Sequence, residues 1–527
     1  MKRHVFLFFL VFFLTGCESI FHSEEISIGE IKNYGQLAQA ANGVYGKLAQ
    51  ALNDNNFYSP NIKGDDINCI GLHYGYSEYY SNLCYSPEGT LNTGYLWSSL
   101  YQTIASSNSI ISQYEDFLFC DKPTLKILGE ILFIRAYCYF RLTRTYGEIP
   151  LIDNTDVSYT LSGASFHEIY DFIESDLKTA MALLPENNTT ARVPYETPHR
   201  GTAKALLSEV YLSRAGYPLK NITDYELAAR EAGEVIDSAD YFGFGLVDDF
   251  ARLWDNVHYH NSETILTLYF SNPLQTHVFD EVNLIYVIPY SGNSSMGDYF
   301  LNREFPCMFG FFPVELNFFN NYPRGYRKDI TFYTTIYVPN IYPFYPEIDT
   351  GFIQVDVLGP CSRASCRKFF YEPFYVPFNA YFDYVQLDDF YYILGSPKIY
   401  LFRYAHTLLT YAEAAARSGQ LDEKAYECVN RIRRRAHNVD IYSSSDFDLQ
   451  PGLSPEVFAD SVVWERAWEL AGEPEGRWFD LVRLEMVEDL PALRHPAEGG
   501  PPEAFDKSIY FFPVPEGDIR LNPNLEE

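Results

Sequence analysis

Apolar residues recur at steps of three and four along "KILGEILFIRAYCYFRLTRTY" (126–146), placing Ile127, Ile131, Ile134, Cys138 and Leu142 on one face of an amphipathic helix. Gly147 ends it, with Pro150 just beyond. The same period predicts helices over 201–216, which ends at a glycine, 225–239 and 400–419. In the last of these, Leu401, Tyr404, Leu408 and Tyr411 share a face, and Glu413 stands four residues before Arg417, the spacing of a helical ion pair. "LDEKAYECVNRIRRRAH" follows Gly419 almost without a linker, so these two helices read as an antiparallel hairpin. Ser454, Pro455 and Glu456 supply the N-cap, a first-turn proline and a first-turn acid for a helix running to about Leu470. Helix pairs joined by short turns predict a mainly α framework.

The helical period fails in the second half. Of the 120 residues from 281 to 400, 32 are Phe or Tyr, and prolines and glycines interrupt the stretch repeatedly. Neither a helical nor a two-residue period persists there, which predicts irregular loops and short strands packed on the helices. No linker divides the chain, so the pattern reads as one helical body carrying a large aromatic insertion.

The N-terminus has its own pattern. Lys2 and Arg3 precede an apolar run from Val5 to Leu14, too short to cross a bilayer that takes roughly 20 helical residues, so residues 1–16 read as a signal peptide. Leu14-Thr15-Gly16-Cys17 looks like a lipobox, in which Cys17 is acylated and becomes the first residue of the mature chain. Two or three acyl chains hold a protein stably at a membrane where one does so only marginally. No later stretch reaches 18 apolar residues free of charge.

Lys and Arg total 39 against 70 Asp and Glu, a net charge of −31. A field of that sign repels phosphate backbones, which excludes nucleic acid as a partner. Cys138 and Cys428 fall inside helical patterns and read as buried free thiols, whereas Cys361 and Cys366 frame a loop where a local disulfide is open. The alternating charges of Glu465, Arg466, Glu469, Arg477, Asp480 and Arg483 read as ion pairs and caps rather than catalytic groups. Arg431, Arg433, Arg434 and Arg435 are expected to face carboxylates elsewhere in so acidic a chain. His258 and His260 have metal-ligand spacing on a strand but no third ligand placed beside them, so no metal and no cofactor is expected. The sequence contains no HExxH, G-x-S-x-G or phosphate-binding glycine loop.

Several stretches together resemble the SusD/RagB family of nutrient-uptake outer-membrane lipoproteins. They are the lipobox, "LWSSLYQTIASSNSII" (96–111) with Trp97, Tyr101, Ile104 and Asn108, "GEILFIRAYCYFRLTRTYGEIPLI" (129–152), "RGTAKALLSEVYL", "RYAHTLLTYAEA" with "VNRIRRRA", and the closers "WERAWELAGEPEGRWFDLVRL" (464–484) and "YFFPVPEGDIRLNPNLEE" (510–527). The resemblance implies a mainly α fold of helix pairs similar to tetratricopeptide repeats, with residues 17–527 forming a single SusD-like body. Within it, about 30–270 and 396–527 would be the helical framework and about 271–395 the aromatic, loop-rich ligand face. It also implies a cell-surface protein, lipid-anchored to the outer membrane, that binds glycan without catalysis and hands oligosaccharide to a SusC-like TonB-dependent transporter. A peptide cargo is a second reading, and a lipid-anchored glycoside hydrolase a third, since the separation of paired carboxylates is a property of the fold.

Sugar rings stack their C–H faces on aromatic rings while their hydroxyls bond polar side chains, so candidate ligand residues are aromatics in polar, glycine- or proline-flanked settings. These are Tyr74, Tyr76, Tyr79 and Tyr80 in "GLHYGYSEYYSN", Tyr290 and Tyr299 around "YSGNSSMGDYF", and Tyr375 and Tyr381 in "FYVPFNAYF". By resemblance, Asp65 and Asp66 match an acidic pair near the family's ligand loops, and Trp97 belongs to a family helix, with core and rim both open for it.

Overall fold

The computed structural model describes residues 29–52, 63–67, 91–114, 121–155, 158, 160–254, 260–269, 314–333, 335–339, 352–356, 365–366, 398–496 and 507–526. Helices α1 (Tyr34–Leu52), α2 (Leu91–Ile111), α3 (Lys122–Tyr146), α4 (Phe166–Leu183), α5 (Arg200–Ala215) and α6 (Asp224–Asp237) follow one another, each packed on the next. Asp121 caps α3, its carboxylate accepting from Thr124 N at 3.0 Å, and Ser165 and Glu168 form a reciprocal capping box on α4. Gly147 ends α3 at φ +87°, a conformation other residues adopt only under strain, and a Cβ there would meet the Phe511 ring at 3.3 Å. Nearly every residue of α3 from Ile127 onward is buried, which makes it the central rod of the framework.

The chain then runs through strand β1 (Thr264–Tyr269), helices α7 (Leu316–Asn321) and α8 (Tyr326–Thr331), and strands β2 (Phe332–Tyr333), β3 (Thr335–Pro339), β4 (Phe352–Asp356), β5 (Ser365–Cys366) and β6 (Lys398–Arg403). Among the described residues each strand pairs once and antiparallel: β1 with β6, β2 with β5 and β3 with β4. Helices resume with α9 (Tyr404–Arg417), α10 (Glu423–Ala436), α11 (Pro455–Glu469) and α12 (Arg477–Arg483), ending in α13 (Glu516–Leu521). α9 packs on α6, α10 and α11, so the second helical block closes on the first. Ser454 caps α11 by accepting from Val457 N, and the Glu413–Arg417 pair forms at 2.8 Å, both as the sequence predicts. Cys138 and Cys428 are buried free thiols.

One expectation is corrected. Residues 400–403 belong to strand β6, and the helix begins only at Tyr404. Leu401 therefore lies on a strand. Its three-residue step to Tyr404 mimics a helical face, and with five of the six strand residues buried there is no alternation to read against it.

The interior carries an unusual density of charge. Arg403, fully buried, reaches Glu263 at 2.6 Å, Glu469 at 2.8 Å and Glu473 at 2.8 Å. Arg435 bridges Glu263 at 2.5 Å and Glu469 at 2.6 Å, and Arg327 bridges Glu465 at 2.7 Å and Glu469 at 2.8 Å. Glu475 joins Arg141 at 3.0 Å and also Arg144. Arg483 takes Glu413 at 2.6 Å and Asp480 at 2.8 Å. Desolvating such ions costs about as much as their attraction returns, so their value is geometric: they fix how α8, α10 and α11 sit against the base of β6. Arg433 and Arg434 also pair with carboxylates, as expected of the basic run, while Arg431 lies over the Tyr442 ring, 5.1 Å from its centre.

Candidate functional site

The aromatic region leaves and rejoins the framework through one stem. β1 carries the chain out and β6 brings it back, with Thr264 opposite Arg403 at the base and Tyr269 opposite Lys398 at the tip. Midway, residues 314–333 dock onto the framework. Val314 bridges Ile67, Glu315 N donates to Asp66 O at 2.9 Å, and the Tyr322 hydroxyl donates to Trp468 O at 2.7 Å.

That docking point decides the fate of two candidate ligand residues. Asp65 and Asp66 are each 2% exposed, not presented to solvent. The Asp65 carboxylate receives both Nε and Nη2 of Arg477, at 2.7 and 2.9 Å, a bidentate pair that leaves it no role as an acceptor for sugar hydroxyls. Gly472 N donates to Asp66 Oδ2 at 3.3 Å, and Arg494 donates to Gly64 O at 2.8 Å. The pair is thus a clasp between the N-terminal segment, the insertion and the C-terminal motif, and the expectation of a hydroxyl-binding pair is corrected by its burial.

Asp66 titrates in an informative range. Burial first, and Asp65 beside it second, push its carboxyl from 3.8 up to about 6, and its Oδ1 has no hydrogen-bond partner among the described residues. The unfolded chain releases this proton near pH 4, whereas the folded chain keeps it to about 6. The resulting stabilisation is full below pH 4 and is lost as pH rises through 6. At roughly 1.4 kcal/mol per pKa unit it amounts to about 3 kcal/mol. Asp66→Asn is expected to remove this decline, seen as urea midpoints that differ less between pH 4.5 and 7.5 than those of the parent. Unchanged pH dependence would mean that another group titrates.

Trp97 is fully buried and packs on Tyr101 and Tyr146, with ring centres 4.8 and 5.0 Å away, so of the two positions left open it takes the core. Tyr74, Tyr76, Tyr79, Tyr80, Tyr290, Tyr299, Tyr375, Tyr381, the acyl acceptor Cys17, and the Cys361–Cys366 loop as a disulfide lie outside the described residues or side chains. His258 is also outside them. His260 stacks on Tyr195 and stands 3.3 Å from Glu196, and no cluster of three metal-ligating side chains occurs among the described residues. No helix among them is long and apolar enough to cross a membrane.

Two features went unread in the sequence. The loop after α10 exposes Tyr442 and Phe447, the latter stacked face to face on His437 at 3.6 Å between ring centres. Beside it, Arg324 and Trp468 help line a cavity between α8, α10 and α11. The Trp464–Trp468 spacing on a helix was the one available signal, and it reads equally as core.

With this geometry in place, the likeness to known proteins is extensive. A SusD-like family model described as starch-binding and associating with the outer membrane matches residues 27–212, and a model of the SusD family matches residues 362–527. The whole chain is 25% identical to a SusD-like protein of Formosa agariphila, covering 99% of that relative. Surface glycan-binding protein A from Bacteroides fluxus shares the fold with a TM-score of 0.70 at 21% identity, over 93% of this chain and 97% of that one. A laminarin-binding SusD-like protein does so with a TM-score of 0.67 at 20% identity, over 93% and 98%. With a match in each helical block flanking the aromatic insertion and one relative aligned end to end, the chain belongs to the SusD family.

Proposed function

We propose that this protein is a non-catalytic glycan-binding lipoprotein of the cell surface, held in the outer membrane by acyl chains on Cys17. It captures oligosaccharide and passes it to a SusC-like TonB-dependent transporter. Residues 17–527 act as one body, with 271–395 as the ligand face. The observation that carries this reading is the aromatic region on its β1–β6 stem, set on a framework shared with a surface glycan-binding protein and a laminarin-binding protein.

The mechanism is stacking and release. A ring that buries about 40 Å² of apolar surface at roughly 25 cal/mol/Å² contributes about 1 kcal/mol, so useful affinity needs several platforms along an extended ligand. Weak individual contacts also let the ligand leave toward the transporter. The test is migration of the mature, acylated protein in native gels containing a panel of polysaccharides, alongside a reducing-end assay. Retardation by a glycan without release of reducing ends supports the reading. Steady release of reducing ends would make the protein a hydrolase, and retardation by no glycan would favour a peptide cargo.

A further inference from the structure

The cavity between α8, α10 and α11 has a volume of about 140 Å³, room for one ring-sized group, since an apolar cavity of roughly 150 Å³ holds a benzene. Its wall includes Arg324, Arg327, Arg433, His437, Glu465 and the half-buried Trp468. Gly325, at φ +140°, lets the turn before α8 close on it, because a Cβ there would stand 3.0 Å from His437 Nδ1.

The lining holds three guanidiniums and one carboxylate, with Glu469 behind it reaching Arg327 at 2.8 Å. Glu465 is already engaged, by Arg327 at 2.7 Å and by Arg433 at 3.1 Å. Arg327, 3% exposed, has a buried Nε without a hydrogen-bond partner among the described residues. Arg324 is exposed and pairs with no carboxylate among them. In a chain of net charge −31 a pocket with three guanidiniums, one of them paired with no carboxylate among the described residues, stands against the general field. Burial first, then Arg327 and Arg433, lower the affinity of His437 for a proton, as a positive local potential requires.

The chemistry of the lining selects its occupant. Guanidiniums only donate and outnumber the acidic side chain of the lining three to one, so an anion is better served than a neutral sugar, whose hydroxyls both donate and accept. A carboxylate only accepts. The indole of Trp468 adds a flat face for a ring. We propose that this cavity is a subsite for a carboxylate-bearing sugar, its anionic group held by Arg324 and Arg433 and its ring lying on Trp468. This rests on the glycan-binding reading and specifies a ligand class for it.

The test is ¹⁹F NMR of the full mature chain labelled with 5-fluorotryptophan, the Trp468 signal assigned by Trp468→Phe. It is titrated with glucuronate and galacturonate, with glucose and galactose as neutral controls. The uronates are expected to shift the Trp468 signal and the neutral sugars to leave it, with Arg324→Ala weakening the uronate response about tenfold or more. Arg324 is exposed, so its replacement leaves the fold intact. A silent Trp468 signal, or equal shifts with neutral sugars, overturns the proposal, and an equal shift with glutamate reassigns the cavity to a peptide carboxylate. Gel retardation separates the two levels: retardation by a glycan with a silent Trp468 signal sinks the subsite alone, while no retardation at all sinks the reading beneath it.

Discussion

Arg403→Met is expected to destabilise the protein by about 3–5 kcal/mol, the cost of removing one partner from a buried ion pair. Arg403 is the hub of the base of the stem, with Glu263, Glu469 and Glu473 all within 2.8 Å. Methionine fills much of the volume and removes the cation that reaches Glu473 through both Nε and Nη2. Arg435 still serves Glu263 and Glu469, but the buried Glu473 loses its bidentate guanidinium. Denaturant midpoints measure the loss. Adding Glu473→Gln should return part of it, because the charge that Arg403 neutralises goes too. A loss below about 1 kcal/mol would show that water reaches the site and that the hub is not dry.

Asp65→Asn is expected to cost about 3 kcal/mol of stability for the same reason, since it strands the buried Arg477 guanidinium. A residue that serves only to accept a sugar hydroxyl would behave oppositely, with weaker binding and an unchanged denaturation midpoint. Measuring both quantities on the same variant therefore separates a clasp from a ligand contact. Asp65→Asn with Arg477→Met removes both charges, and part of the lost stability should come back.

What the sequence made legible follows from range. The helix over 126–146 and the one starting at Pro455 are written in local periodicity and local caps, and both form where expected. The ion pairs of the C-terminal motif were foreseeable as pairs but not by partner: Arg477 finds Asp65 412 residues away, and Arg403 finds Glu263 140 residues away. No local pattern records such a meeting. Asp65 and Asp66 looked like ligand groups because the resemblance matches them to an acidic pair near the family's ligand loops, and nothing local records their distant arginine. Trp97 carried the better signal, since Tyr101 and Ile104 follow at helical spacing on a buried face. Strand β6 was hidden because a strand buried on both sides has no alternation to read.

The central claim is that this protein binds glycan and does not cut it. Calorimetric titration of the mature chain with oligosaccharides of increasing length, and with a peptide digest, tests that most directly. Saturable heat with one glycan class is expected, with affinity rising about fivefold for each added sugar that meets another aromatic platform, the equivalent of about 1 kcal/mol per stack. Saturation by peptides alone, or heat that continues after each injection as bonds are hydrolysed, would contradict it.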